Sequence, residues 1–235
     1  MQTTFSPTSQ VRSSGFRAVP FVGWSALAAA FVAGGFLTQA DSSADNSRAL
    51  YEYSFAAGTV LVYGVLVGIT FLIALAYKGW SREAIGLRSS VSLRWVGIAI
   101  GLIVVVLLLA TALEPVLHGG RDQGLSPKTW EPEHAGAFAL NGLIVATIVP
   151  FTEELFFRGL GVRALGFLGG LAAVVVTGVV FGLSHGILGA LPPLVLFGIA
   201  LGWVRLRADS VWPGMIAHGF YNGVGILVIY LQLAY

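Results

Sequence analysis

Hydrophobic positions in this chain do not alternate with polar ones; they run on. Ala18–Ala40, Tyr53–Tyr77, Trp95–Leu113 and Ala135–Thr152 each lack Asp, Glu, Lys and Arg. As helices they reach across about 30 Å of hydrocarbon, the last needing a few residues more. Ala164–Val204 extends for 41 residues whose only group of changeable charge is His185. At 1.5 Å per residue such a helix would measure about 60 Å, twice the membrane, so the run must fold back. Gly189, Pro192 and Pro193 mark the expected turn. Ser210–Tyr235 supplies a final run. The pattern therefore predicts an all-α, polytopic membrane helix bundle of about seven transmembrane helices.

Three regions follow from the same pattern. Residues 1–17 are rich in Ser, Thr and Gln, with Arg12 and Arg17 and no acidic residue, which reads as a disordered N-terminal tail. Residues 18–134 hold spans one to three and their loops, and 135–235 hold spans four to seven. A signal peptide ending at Thr38–Gln39–Ala40 is an alternative for the first run. Its 23 residues exceed the usual apolar region of about 7 to 15, which favours a membrane helix.

Composition agrees with the pattern. The chain is 56% hydrophobic and 10% charged, with a mean hydropathy of +0.84; a soluble domain carries about 25% charged residues, so this one has too few to cover a surface in water. A net charge of +2, with basic residues at the ends of apolar runs, excludes a nucleic-acid stripe. No cysteine is present, which excludes thiol catalysis, disulfides and thiolate metal sites. Lys78, Arg82, Arg88 and Arg94 fall after span two, Arg158 and Arg163 after span four, and Arg205 and Arg207 after span six. These loops share one side of a seven-span bundle, and the positive-inside rule makes that side, with the N-terminus, cytoplasmic. The opposite loops are acidic or mixed, with Asp41, Asp45, Arg48 and Glu52 in one and Arg121, Asp122, Lys128, Glu131 and Glu133 in the other.

Several small-xxx-small pairs, such as Gly97 with Gly101, Gly178 with Gly182, Gly198 with Gly202, and Gly219 with Gly223, permit close helix packing. The polar residues inside the apolar runs are more informative. Glu153, Glu154 and Arg158 follow directly on Ala135–Thr152. On a helix Glu154 and Arg158 share a face four residues apart, while Glu153 points about 100° away and is left without a partner. His185 follows Phe181 by four residues, and His218 precedes Asn222 by four. His118 and His134 sit among loop charges, where solvated imidazole is the plain reading. A lone intramembrane histidine is often only a helix-to-helix hydrogen bond worth about 1 kcal/mol. Ionised groups at membrane centre cost about 2.5 to 3.5 kcal/mol each, however, so three helices carrying polar groups together point to a shared site.

Glu153, Glu154 and Arg158 as EExxxR, Phe181 and His185 as FxxxH, and His218 and Asn222 as HxxxN resemble the three motifs of the CAAX-prenyl-protease and bacteriocin-processing family of intramembrane proteases. The resemblance runs from about Ala135 to the C-terminus and makes that half the protease core. It implies that Glu153 is the general base, that His185 helps to hold and polarise water, and that His218 and Asn222 donate to the oxyanion. Glu154, tied to Arg158, is then a supporting carboxylate. The substrate implied is a peptide or protein that is membrane-anchored or prenylated. The same residues suit a metal reading: Glu153, His185 and His218 offer one carboxylate and two imidazoles, the ligand set of many catalytic zinc sites. Water activated by Glu and His needs no metal, and the spacing is not HExxH; the preferred expectation is metal-independent chemistry.

Two other function classes keep the motifs: a non-catalytic binding or scaffolding protein, for example one conferring bacteriocin immunity, and a proton-coupled transporter. Depth poses a problem for straight helices, because Glu153 and His218 lie near one end of their spans and His185 lies well along span five. Either span four continues past Arg158 through Gly161 to Phe167, or span five tilts. Pro150 is expected to kink span four, and a water-filled cavity is expected to reach the cytoplasmic side.

Overall fold

The computed structural model describes residues 18–40, 46–76, 81–88, 90–117 and 127–234. The tail at 1–17, His118, and the loop charges Asp41, Asp45, Lys78, Arg121 and Asp122 lie outside the described residues. The described chain is helical, with no strand. Its α-helices are α1 (Ala18–Ala40), α2 (Tyr53–Ala76), α3 (Leu93–Leu117), α4 (Ala135–Glu153), the single turn α5 (Val162–Ala164), α6 (Gly170–Leu183), α7 (Leu191–Ala208) and α8 (Trp212–Ala234). The apolar runs predict these helices to within a few residues, since an uninterrupted run in lipid must bond its backbone internally.

Six helices are long and apolar enough to cross a membrane, and the protein is an integral, multi-pass membrane protein. The expected seventh span is different. α6 has 14 residues, about 21 Å, and falls short of the hydrocarbon thickness. It stops because Ser184, His185 and Gly186 leave the helix, Gly186 at φ 70°, in the left-handed region that glycine tolerates. His185 therefore sits in a turn rather than inside a helix. Non-helical backbone at this depth is tolerated when protein covers it. Here α1 supplies the cover: a Cβ on Gly35 would collide with the Ser184 carbonyl and one on Gly186 with the Gly35 carbonyl. Pro192 and Pro193, expected in the turn, instead occupy the first turn of α7, where the missing N–H is no loss.

Of the two expected remedies, span four does continue past Arg158 and Gly161, ending at Ala164 and not at Phe167. α4 runs into a π-helical stretch, Glu154–Gly161, and on to Ala164, 33 apolar-rich residues from Pro132. Every residue from Glu154 to Gly161 is buried. Phe156 packs on Phe157 with ring centroids 4.8 Å apart and stacks on Trp24 of α1 at 6.1 Å. α1, α2, α6 and α7 all touch this stretch, so it forms the axis of the bundle.

α6 and α7 pack as a close hairpin. A Cβ on Gly198 would lie 2.8 Å from the Gly178 Cα, so the two backbones touch, as small residues permit. By contrast Gly97 and Gly101 on α3 face open space, and that pair packs nothing.

Arg158, expected among the loop charges after span four, is instead fully buried in the continued helix; the described loop charges pair at the two ends. At one end Arg88 pairs with Asp209, which also lies 3.2 Å from Arg205, and the Val211 N–H donates to the Gly86 carbonyl at 3.0 Å. At the other end Arg48 meets both Glu131 oxygens at 2.6 and 2.7 Å, and the Asn141 amide donates to the carbonyls of Leu50 and Glu52. His134 is not simply solvated: its Nδ1 lies 2.9 Å from Glu131.

Candidate active site

The site forms where the bundle axis meets α2, α7 and α8. Pro150 has no N–H to offer the Ala146 carbonyl one turn earlier. α8 approaches that freed carbonyl at Gly219, where a Cβ would lie 2.6 Å from it. One turn further along α8, the Asn222 amide donates to the neighbouring Val145 carbonyl at 2.9 Å. The proline thus helps to dock α8, which brings His218 to the two glutamates.

Glu154 and Arg158 pair at 3.0 Å, both fully buried. Arg158 also donates to the Gly198 carbonyl at 3.2 Å, and its guanidinium lies 4.3 Å from the centroid of the Phe181 ring. A buried ion needs such compensation, because desolvation costs several kcal/mol per charge. Phe181 is the hub of the aromatic packing: its ring centroid is 4.8 Å from His185, 5.9 Å from His218 and 5.8 Å from Phe197. That is the physical content of the phenylalanine in FxxxH.

His218 is buried and addresses both glutamates. Its Nδ1 lies 3.2 Å from Glu154 Oε1 and its Nε2 lies 3.9 Å from Glu153 Oε2. His185 is held by its own helix, with Nδ1 2.8 Å from the Phe181 carbonyl. A carbonyl only accepts, so Nδ1 carries the hydrogen, and in the neutral ring Nε2 is then the nitrogen with the lone pair. Among the described residues no hydrogen bond or ion pair links His185 to Glu153; the rings of His185 and His218 both pack on Phe181. Asn222 spends one amide N–H on Val145 and retains a second.

Glu153 is not unpartnered. The Tyr63 hydroxyl on α2 donates to its Oε1 at 2.9 Å. The sequence offered no spacing that could announce this contact, since Tyr63 is one apolar-run tyrosine 90 residues away. Beside it a groove of about 770 Å³ runs between α2, α4 and α8. Its walls include Val60, Tyr63, Phe151, Thr152, Met215 and Phe220, and Val60, Ile216 and Phe220 are exposed on membrane-spanning helices. This opening is apolar and faces sideways, unlike the expected aqueous cavity.

As placed, Glu153, His185 and His218 do not gather their donor atoms. Among the described residues, the three such side chains with ligand atoms within 4.8 Å of one another are Glu131, Glu133 and His134 at the far end.

A helix bundle that buries two carboxylates, a guanidinium and an imidazole beside a lipid-facing groove belongs to the class of membrane proteins with an intramembrane polar site. Residues 135–224 match the family described as Type II CAAX prenyl endopeptidase Rce1-like, and in this segment, less than half of its length, the chain is similar to that family. The match begins at the first residue of α4 and ends two residues past Asn222, so it contains every motif residue and leaves α1–α3 outside. Neither the curated proteins nor the solved structures give a match.

Proposed function

We propose that this protein is an intramembrane endopeptidase that hydrolyses a peptide bond of a membrane-anchored or prenylated peptide or protein. The observation that carries the reading is Glu153 beside His218, behind an apolar groove open to the bilayer. A substrate held by a lipid anchor or an apolar helix reaches such a groove without leaving the membrane.

In this reading Glu153 takes the proton of the attacking water. Groups 3.9 Å apart, as Glu153 Oε2 and His218 Nε2 are, are spaced to share a water rather than to bond directly. His185, with its lone pair on Nε2, helps to hold that water. His218 stabilises the oxyanion from Nε2 when doubly protonated, its Nδ1–H answered by the Glu154 carboxylate. Asn222 adds its second amide N–H. Glu153 then passes its proton to the leaving amine, as a general base does in reverse. Arg158 neutralises Glu154 so that the base is not repelled by a second bare carboxylate. The basic end of the bundle is the cytoplasmic one.

Comparative peptidomics of cells carrying the wild-type protein and Glu153→Ala tests the activity and names the substrate together. A cleaved product lost in the variant, and lost again with His185→Ala, is the expected result. Identical peptidomes with partner capture unchanged would instead make the protein a binding or scaffolding protein. Purified enzyme is expected to keep its activity after exhaustive chelation; loss that zinc restores would overturn the metal-independent route.

A further inference from the structure

We infer that Tyr63 is a positioning residue for the general base: its hydroxyl fixes which oxygen of Glu153 faces His218, so that α2, outside the family-matched segment, completes the catalytic site. The inference rests on the endopeptidase reading for its consequence, but the contact that carries it is independent of that reading.

The geometry is specific. Tyr63 donates to Glu153 Oε1 at 2.9 Å, and Oε2 is the oxygen toward His218. A glutamate has three side-chain torsions, and ordering them costs on the order of 1 kcal/mol or more. Glu154 has Arg158 and His218 to hold it; among the described residues Glu153 has Tyr63 as its one hydrogen-bond donor, and Tyr63 has Glu153 as its one acceptor. A phenol on an otherwise apolar, lipid-facing helix needs a partner for its hydroxyl, and this one finds the base. The ring also packs edge-on against Phe31 of α1, centroids 6.0 Å apart, which keeps the hydroxyl aimed inward. Because Tyr63 lines the groove as well, it stands between an entering substrate and the carboxylate.

Tyr63→Phe removes the hydroxyl and leaves the ring, its Phe31 contact and the groove wall. With a fluorogenic farnesylated CAAX peptide as probe, kcat is expected to fall about 10- to 100-fold, the range of one hydrogen bond to a charged group, with KM unchanged. Infrared difference spectra against Glu153→Gln isolate the Glu153 carboxyl bands, and in Tyr63→Phe these bands are expected to shift. A fall in kcat together with that shift supports the inference. An unchanged kcat, or a raised KM with kcat intact, overturns it, because Tyr63 is then only groove wall. If the wild-type protein cleaves no probe, and the Glu153→Ala peptidome is unchanged, while the band still shifts, the endopeptidase reading fails and the positioning of Glu153 stands; an unchanged peptidome and no shift overturn both.

Discussion

The two halves of this molecule are alike in apolarity and unlike in burial. In α2 and α3 only 17% of the membrane-crossing window is buried, against 39% in the run from Pro132 to Ala164. Water would bury the most apolar helices deepest; lipid does not, because tails are as apolar as leucine and give no reason to hide it. What draws helices inward here is polarity and smallness: Glu154, Arg158 and His218 on one side, and Gly178 against Gly198 on the other. The N-terminal half is mostly a lipid-facing jacket, yet it reaches the site at two points. Tyr63 holds Glu153, and Gly35 covers the turn that carries His185.

Substitutions that separate these roles follow in order of expected effect. Glu153→Gln, in the buried half, should lower kcat by about 10³-fold, within the range of a lost general base, while the thermal unfolding of the purified protein stays near wild type. Unaltered turnover would move the chemistry elsewhere. Arg158→Met leaves Glu154 buried without its counter-ion and should destabilise the bundle by about 3 to 5 kcal/mol, read by denaturation in detergent; a stable variant would show that His218 alone can neutralise Glu154.

The jacket should respond where it covers the His185 turn and not at the lipid-facing positions beside it. Gly35→Ala drives a methyl into the Ser184 carbonyl and displaces His185, with kcat expected to fall about 10- to 100-fold, as for a catalytic group moved by about an ångström. Gly34→Ala next to it meets open space and should keep full activity, so equal losses in both would break the assignment. Smallest of all, Gly97→Ala on α3 should change stability by no more than about 0.5 kcal/mol, since its added Cβ touches nothing. A large loss would show that α3 packs through its glycines after all.

Much of this was legible in the residues. The apolar runs predict the helices, including Ala18–Ala40 to the residue, because a hydrocarbon solvent forces long uncharged segments to satisfy their own backbones. The four-residue spacing predicts the Glu154–Arg158 pair, a local contact within one helix. The loop charges predict which loops meet at each end. Hydropathy does not tell an apolar turn sheltered by protein from a helix exposed to lipid, so it does not show that the seventh apolar helix, α6, stops after 14 residues. His185 accordingly sits just past the end of α6 and not in the interior of a helix.

What the sequence by itself determined is a membrane bundle with three motif-bearing stretches in its C-terminal half, since composition and spacing are properties of the chain alone. The tertiary structure decided the partners. Tyr63 on Glu153, His218 between two glutamates and Gly35 over the His185 turn all join residues distant in sequence. Such contacts depend on helix rotation and depth, which no local spacing encodes.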